Sequence, residues 1–287
     1  MCKESSEDQN WFYIENNRAM VSLGPLNSKK TCPYSCAFCY VQDGFVSYKQ
    51  KNISEIIKFL VRHRAEYEII YVSGDTDSFA VPRKKVGLSL LQGIAETIDC
   101  DLLFTTRTVF DDEDVATLAN VVKILKQKNK LLFACVSVTR YSDEVEYLEP
   151  HPIPSPLERL QTLKKLHDIG AVTVLALRPF LPVVPINDYI AILQQAAGYT
   201  DIALGEVFYF VLGGKIEKRV FKQGIPKDVI IELKTQKMDF NSNGENWSVW
   251  EGEKIEKRLR EYCKMNNIVF SMRSGTAIAE YKAQKVL

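Results

Sequence analysis

The chain has 287 residues, a length that fits either two average domains or one large α/β barrel. Its composition, with 46% hydrophobic, 10% aromatic and 25% charged residues, excludes an intrinsically disordered or collagen-like chain. The balance of 37 Lys and Arg against 36 Asp and Glu gives a net charge of +1, which excludes the basic excess of proteins that bind many phosphates and favours a small or singly charged substrate.

Short β-rich runs alternate strictly with amphipathic helical patterns along much of the chain. The six predicted strands cover residues 19–24, 68–74, 101–107, 131–138, 171–177 and 201–210. The five predicted helices between them cover residues 53–65, 84–98, 112–129, 156–169 and 187–198. This alternation predicts an α/β fold of parallel strands with right-handed crossovers, either an open doubly wound sheet or an incomplete barrel. In both architectures ligands bind at the carboxyl ends of the strands.

Residues 211–287 are predicted to form a small C-terminal α/β cap that packs on the domain formed by residues 1–210, because no linker rich in Pro, Gly or Ser separates the two. The cap contains predicted helices near 226–235 and 251–266, a polar loop at 238–250 and a β-like run at 268–272. The apolar runs are far shorter than the roughly 18 residues that span a bilayer, and the polar start does not resemble a signal peptide. We therefore expect a soluble, cytoplasmic protein with no membrane partner.

Seven cysteines, an odd number in a chain without a secretion signal, do not indicate a disulfide framework. Cys32, Cys36 and Cys39 lie together in the string CPYSCAFC, after the first predicted strand. Thiolates grouped this closely usually bind metal, and a four-iron cluster with three cysteine ligands keeps one iron open for a cofactor or substrate. From the residues alone, a structural zinc site, which normally takes four ligands, and unbound thiols stay as alternatives.

The cysteine spacing, with Phe38 before and Tyr40 after the third cysteine in a loop that follows the first strand, resembles the radical S-adenosylmethionine superfamily. The resemblance covers roughly residues 19–210 and implies a partial (β/α)6 barrel with a [4Fe-4S] cluster on the three cysteines. It further implies that S-adenosyl-L-methionine chelates the fourth iron, and that its reductive cleavage yields a 5′-deoxyadenosyl radical that abstracts hydrogen from the substrate. A low-potential electron donor such as flavodoxin or ferredoxin is the implied protein partner.

The resemblance also assigns cofactor contacts near the ends of successive strands. The turn SGDTD occupies the place of a glycine-rich turn that binds the methionine ammonium, although it lacks the usual double glycine and glutamate. An Asx-type turn that caps the next helix is the alternative for this segment. Arg107 and Arg178 end strands and could pair with a carboxylate, or form surface ion pairs instead. The predicted cofactor-binding residues are Phe38, Tyr40, Ser73, Gly74, Asp75, Thr76, Arg107, Ser137, Arg178 and Phe208.

Three polar side chains share one face of the predicted fourth strand: Cys135, Ser137 and Thr139. Cys135 is the predicted catalytic residue, as a hydrogen-atom donor, with a buried inert thiol as the alternative. Ser137 resembles the superfamily's polar contact to the ribose or carboxylate of the cofactor, with a satisfied core hydroxyl as the alternative.

The stretch 148–182 contains a Pro-rich segment, a helix and a strand with a proline-rich end, in the order found in the spore-photoproduct-lyase-like branch of the superfamily. Within that branch, a small chain with no second cluster and a short cap resembles a queuine lyase, which releases queuine from queuosine or its 5′-phosphate. A DNA-repair lyase needs a phosphate-binding surface, so the net charge of +1 argues against duplex nucleic acid as a partner.

A queuine lyase must bind a 7-deazaguanine, whose N1 and N2 donors suit a carboxylate, and a phosphate, which suits a cation. The predicted substrate-binding residues are Asp77, Glu206, Tyr209, Trp247 and Arg273, with Asp239 as a further candidate. A purely structural role is the alternative for each of them. Two other functions stay open: radical modification of a peptide or another small metabolite, and a non-catalytic protein whose cysteines bind zinc.

Overall fold

The computed structural model describes residues 12–24, 32–43, 52–74, 76–237 and 246–285. Asp75 and Asp239, which the sequence analysis proposes as contact residues, lie outside the described residues. Among the residues within these ranges, no helix combines the length and the apolar character that crossing a membrane requires.

Strands and helices alternate as the sequence predicts. The strands are β1 (Phe12–Glu15), β2 (Arg18–Val21), β3 (Ile69–Val72), β4 (Asp101–Thr106), β5 (Leu132–Ser137), β6 (Val172–Ala176), β7 (Ile202–Leu204), β8 (Phe208–Phe210), β9 (Lys234–Lys237), β10 (Asn246–Trp250) and β11 (Val269–Ser271). The α-helices are α1 (Ile53–Arg62), α2 (Lys84–Thr97), α3 (Asp112–Gln127), α4 (Pro156–Asp168), α5 (Ile186–Ala196), α6 (Lys215–Val220), α7 (Lys227–Glu232), α8 (Glu253–Met265) and α9 (Ser274–Lys285). A short 3-10 helix covers Asp143–Leu148.

Eight strands form one sheet in the order β1-β2-β3-β4-β5-β6-β7-β11. The pairs β2 with β3, β3 with β4, β6 with β7, and β7 with β11 are parallel, whereas β1 is antiparallel to β2. Every residue of β5 and β6 is buried, as expected of strands with both faces covered. The predicted α/β class is confirmed, and each of the six predicted strands overlaps a strand of this sheet.

Helix starts follow from local sequence. Asn52 and Glu55 form a capping box at α1, in which Asn52 Oδ1 accepts from the Glu55 amide at 2.9 Å and Glu55 Oε2 accepts from the Asn52 amide at 3.1 Å. Asp111 and Asp114 form the same reciprocal pair at α3, with both distances 3.0 Å. These caps satisfy amide groups that the first helical turn leaves without partners, so they fix where the helices begin.

The structure corrects the sequence analysis in the C-terminal half. The run predicted as one strand at 201–210 is two strands, because it breaks after β7, and β8 joins a separate sheet in the order β8-β10-β9. The predicted polar loop at 238–250 contains β10, whose residues from Trp247 to Trp250 are buried although polar residues precede them. The helix predicted near 226–235 ends earlier, since α7 stops at Glu232 and β9 follows. β1, which was not predicted, is a four-residue hairpin partner of β2.

The described residues divide into two compact units. The first unit draws on Met1–Tyr34, Gly44–Cys135 and Lys165–Val172, and the second on Ser35–Asp43, Val136–Lys164 and Thr173–Leu287. The core of the first unit includes Phe79, Phe104 and Phe110, with ring centroids 5.0 to 6.1 Å apart. The core of the second includes an edge-on pair of Phe180 and Tyr189 at 5.5 Å. The predicted division into residues 1–210 and 211–287 is a different partition and stays a prediction.

Candidate functional site

In the first unit, the turns that follow β3 and β4 are joined by the carboxylate of Asp77. Its Oδ2 accepts from the Arg107 amide at 2.7 Å, its Oδ1 accepts from the Phe79 amide at 2.9 Å, and the Thr106 hydroxyl lies 3.0 Å from both oxygens. Burial raises the pKa of Asp77, and the hydrogen bonds from Arg107, Phe79 and Thr106 oppose that rise. Asp77 therefore holds Arg107, the predicted carboxylate partner, at a fixed position. The predicted contact of Asp77 with substrate stays a prediction.

The turn after β3 packs closely against β2. Ser73 has a left-handed φ of 68°, its amide donates to the Val21 carbonyl at 2.7 Å, and its hydroxyl accepts from the Ser78 amide at 2.9 Å. A Cβ at Gly74 would lie 2.4 Å from Met20 Cε, so only glycine fits without a shift of the methionine. The predicted glycine-dependent turn is therefore present in the structure.

Two buried hydroxyls that follow β2 and β3 in the first unit have no hydrogen-bond partner among the described residues. Thr76 Oγ1, on the turn after β3, belongs to a residue that is 2% exposed, and Ser22 Oγ follows β2 on a residue that is fully buried. Buried polar groups are nearly always paired in native proteins, so both hydroxyls are suited to a polar ligand. The sequence analysis predicted Thr76 as a cofactor contact, but it missed Ser22, since a serine after a strand carries no distinctive signal.

Cys32 belongs to the first unit and lies near a buried arginine. Arg83, which immediately precedes α2, donates to the Gly24 carbonyl and interacts electrostatically with the Cys32 thiol. Burial lowers the pKa of Arg83, and the charge of Cys32 opposes that effect. A neighbouring cation favours the thiolate, which is the metal-binding form of cysteine. The sequence analysis missed Arg83, although a cation at a helix N-terminus, where the dipole disfavours it, is an unusual feature.

Cys36 and Cys39 belong to the second unit, where they form a tight turn. The Cys39 amide donates to the Cys36 carbonyl at 3.1 Å, and the Ala37 amide donates to the Leu148 carbonyl at 2.9 Å. Arg219 on α6 donates from Nε to the Ala37 carbonyl at 2.8 Å and from a terminal guanidinium nitrogen to the Cys39 carbonyl at 3.1 Å. The turn is thus held by residues far away in sequence.

The aromatic residues next to the third cysteine differ in exposure. Phe38 is buried in the loop, whereas Tyr40 is 42% exposed and begins a short 3-10 turn. The predicted contacts of Phe38 and Tyr40 with the cofactor stay predictions, and of the two side chains Tyr40 is the more accessible to a ligand.

Within the described ranges, no group of three His, Cys, Asp or Glu side chains is arranged to hold a metal ion. This result bears on a mononuclear site such as zinc, whose ligands converge on one point. A cubane takes each thiolate on a different iron, so its ligands are spread around the cluster. Three thiolates are the donor set that a four-iron cluster with one open iron takes, and the predicted cluster on Cys32, Cys36 and Cys39 stays a prediction.

The carbonyl of Ser137, at the end of β5, is held by a buried ion pair in the second unit. Arg159 donates to this carbonyl at 2.6 Å and to the two carboxylate oxygens of Glu149 at 3.1 and 2.6 Å. The side chains of Arg159 and Glu149 are both fully buried. Ser137 itself is 2% exposed, and Cys135, which belongs to the first unit, is fully buried in β5. The predicted roles of Ser137 with the cofactor and Cys135 in catalysis stay predictions.

The turn after β6 brings Arg178 to the carboxyl end of the strand. Its carbonyl accepts from Thr139 Oγ1 at 3.2 Å, and its peptide bond to Pro179 is cis. The side chain of Arg178 is partly exposed. This position matches the strand end that the sequence analysis predicted.

Three of the predicted substrate residues belong to the second unit, each within a strand or just after one. Glu206 follows β7, Tyr209 lies in β8 and Arg273 follows β11. Burial raises the pKa of Tyr209, the charge of Glu206 raises it further, and the charge of Arg273 opposes both. The group therefore presents a carboxylate, a phenol and a guanidinium within electrostatic reach of one another, and Glu206 and Arg273 are both accessible to solvent.

The other two aromatic candidates of the second unit belong to its core. Trp247 is 2% exposed in β10, and Phe208 is 1% exposed in β8, where its ring stacks on that of Phe210 at 5.1 Å. Their predicted contacts with substrate and cofactor stay predictions, and each would need an opening in this packing.

No protein-family model matches the sequence, and a search of curated proteins finds no match. Solved structures do match. Spore photoproduct lyase, in a variant with bound AdoMet and dinucleoside spore photoproduct, aligns with a TM-score of 0.64 at 16% identity over 84% of this chain and 74% of that chain. The radical S-adenosylmethionine methyltransferase TsrM from Kitasatospora setae, with cobalamin and a [4Fe-4S] cluster bound, aligns with a TM-score of 0.53 at 11% identity over 80% of this chain and 46% of that chain. At these identities the similarity is one of fold. The chain therefore has the fold of spore photoproduct lyase, and the resemblance predicted from the sequence is confirmed at that level.

Proposed function

We propose that this protein is a radical S-adenosylmethionine enzyme that abstracts hydrogen from a small nucleoside or nucleotide, and that it releases queuine from queuosine or queuosine 5′-phosphate. The observation that carries the proposal is the string CPYSCAFC, which follows β2 in a fold shared with spore photoproduct lyase and TsrM. Structures of those two proteins contain AdoMet and a [4Fe-4S] cluster, respectively. The fold and the thiols thus support the same chemistry independently.

Cys32, Cys36 and Cys39 are the proposed ligands of a [4Fe-4S] cluster, with S-adenosyl-L-methionine on the fourth iron. When bound, this pair would supply a 5′-deoxyadenosyl radical for hydrogen abstraction. The chain's own residues prepare the site: Arg83 favours the thiolate of Cys32, and the hydroxyls of Ser22 and Thr76 offer hydrogen bonds to polar groups of the cofactor. The remaining proposed cofactor contacts are Phe38, Tyr40, Ser73, Gly74, Asp75, Arg107, Ser137, Arg178 and Phe208.

The cluster of Glu206, Tyr209 and Arg273 is the proposed substrate-recognition group. A carboxylate accepts hydrogen bonds from the N1 and N2 positions of a 7-deazaguanine, and a guanidinium forks onto a phosphate. The charges of Glu206 and Arg273 act in opposite directions on the pKa of Tyr209, and a carboxylate with a guanidinium suits a substrate that carries a base and a phosphate. This complementarity supports a nucleotide as the substrate, and radical modification of a peptide or another small metabolite is the alternative.

The proposal is tested with protein reconstituted anaerobically with iron and sulfide. We expect a brown protein that, with dithionite and S-adenosyl-L-methionine, forms 5′-deoxyadenosine faster when queuosine 5′-phosphate is present, with free queuine as the second product, both quantified by mass spectrometry. Unstimulated formation of 5′-deoxyadenosine would keep the radical chemistry but reject the substrate. A colourless protein that retains zinc would reject the enzyme altogether.

Cysteine variants separate the cluster from other iron binding. Replacing Cys32, Cys36 and Cys39 by Ala is expected to abolish bound iron and turnover. The matched control replaces Cys100 and Cys263 by Ala, because burial raises the pKa of these thiols to about 11 and about 12 and so keeps them protonated and unsuited to metal. Iron that survives the triple replacement would contradict the proposed ligand set.

A further inference from the structure

A single arginine on α6 fixes the turn that carries two of the proposed cluster ligands. Arg219 donates to the Ala37 carbonyl at 2.8 Å and to the Cys39 carbonyl at 3.1 Å. A guanidinium presents its N–H donors in a rigid planar fork, so one side chain can fix two carbonyl groups at once. These two carbonyls lie on either side of Phe38, and the contact therefore spans the segment between the cysteines.

The helix that carries Arg219 is itself anchored. The Tyr147 hydroxyl donates to the Val220 carbonyl at the end of α6 at 2.9 Å, and the Lys222 ammonium lies 3.8 Å from the centre of the Tyr147 ring. Tyr147 belongs to the 3-10 helix Asp143–Leu148, whose last carbonyl accepts from the Ala37 amide. The same 3-10 helix thus holds α6 and the cysteine turn, so Arg219 acts from a fixed support.

We propose that Arg219 is a positioning residue for the iron–sulfur cluster, an inference that rests on the proposed function. It preforms the Cys36–Cys39 turn before metal binds, which lowers the entropy cost of assembling the ligands. It also adds a positive charge beside Cys39, which favours the more negative reduced state of a cluster and so raises its reduction potential. Arg219 lies outside residues 19–210, the segment that carries the sequence resemblance.

The positioning effect is tested first on the full-length protein without metal. Cys36 and Cys39 are alkylated with iodoacetamide and the modification of each is followed by mass spectrometry. In Arg219→Gln we expect both thiols to react about tenfold faster, because loss of charge-assisted hydrogen bonds lets the turn open more often. The matched control is Lys218→Gln, which removes the same charge from an exposed neighbour on α6 and should leave the rates at the wild-type value. Arg219→Lys decides the outcome, because it keeps the charge that favours the reactive thiolate and removes only the planar fork; equal rates in wild type and Arg219→Lys would overturn the positioning role.

The electrostatic effect is tested on reconstituted protein by redox titration monitored by electron paramagnetic resonance. We expect Arg219→Gln to lower the reduction potential and Arg219→Lys to restore it, since lysine keeps the charge. Alkylation in Arg219→Lys should stay faster than in wild type, because a single ammonium does not reproduce the fork. A potential that Arg219→Gln leaves unchanged would overturn the electrostatic role. Failure of the wild-type protein to bind a cluster would instead overturn the proposed function, and the alkylation rates would still decide the positioning role.

Discussion

Arg159 and Glu149 form a fully buried ion pair in the second unit. Both side chains are fully buried, and the closest contact between them is 2.6 Å. Removing one partner of such a pair leaves an uncompensated charge in a low-dielectric environment, which costs about 3–5 kcal/mol. We therefore expect Glu149→Leu and Arg159→Met each to lower the free energy of unfolding by that amount, measured by chemical denaturation. The double variant should lose less than either single one, because it buries no charge.

The surface pair of Arg260 and Glu256 on α8 provides the matched control. Its contact distance is also 2.6 Å, but the side chains are 54% and 31% exposed. Pairs of this kind at i,i+4 contribute about 0.3–0.5 kcal/mol, so Glu256→Leu should change the stability little. Comparable losses in the two pairs would show that burial does not govern the contribution of Arg159 and Glu149. The buried pair also holds the Ser137 carbonyl at the end of β5, so its loss is expected to disturb that strand end.

At the scale of elements, Gly205 determines how β7 ends. A Cβ at this position would lie 2.4 Å from Phe180 Cζ and 2.7 Å from Met272 Sδ. Phe180 is fully buried and packs edge-on against Tyr189, so its ring has little room to move. We expect Gly205→Ala to lower the free energy of unfolding by about 1–3 kcal/mol, the usual cost of overpacking.

Gly198 serves as the control for Gly205. It belongs to a short 3-10 turn between α5 and β7, and a Cβ there would meet nothing within 4 Å. Gly198→Ala should be neutral or stabilise by up to about 1 kcal/mol, since alanine restricts the unfolded chain. A Gly205→Ala variant as stable as Gly198→Ala would mean that Phe180 and Met272 repack freely. In that case the packing would not fix the position of Glu206, the next residue.

The elements that the sequence predicted correctly share a strong local pattern. The six strands that the sequence predicted in the eight-stranded sheet are short apolar runs, and this pattern is visible within a few residues. β10 was missed because the segment that contains it is polar on average. Its buried Trp247 and Trp250 follow a polar stretch, and the strand has only five residues. β8 was merged with β7 because apolar residues continue past Gly205 and Glu206, whereas β8 pairs with β10 in a separate sheet.

In the candidate site, too, residues within a short motif could be predicted, whereas residues that reach the motif from elsewhere in the sequence could not. The three cysteines and Gly74 could be predicted because each belongs to a short recognisable string. Arg83 and Arg219 could not, since Arg83 interacts electrostatically with Cys32, and Arg219 donates to the Ala37 and Cys39 carbonyls, from positions far along the chain. Arg219 is 180 residues from Cys39, and no periodicity or spacing in one sequence reports such a contact. Residues that hold a site in place are therefore harder to predict than residues that perform its chemistry.

At the scale of the whole molecule, the net charge of the protein predicts whether it binds a DNA duplex. The chain shares its fold with a protein whose structure contains a dinucleoside photoproduct, yet its 37 basic and 36 acidic residues leave a net charge of +1. Non-specific DNA binding depends on basic groups that displace counterions, and typical dissociation constants are about 1–100 μM at physiological salt. We expect no saturable binding of a labelled duplex in this concentration range, measured by fluorescence anisotropy.

The dependence on salt decides how that titration is interpreted. A protein that neutralises several phosphates loses roughly three orders of magnitude in affinity or more between about 50 mM and 200 mM salt. Binding that falls this steeply would reveal a concentrated basic surface despite the balanced total charge, and would contradict a small substrate. Weak binding that changes little with salt would indicate few phosphate contacts. A single guanidinium such as that of Arg273, bound to one phosphate, would give this result. It would agree with a single nucleotide as the substrate.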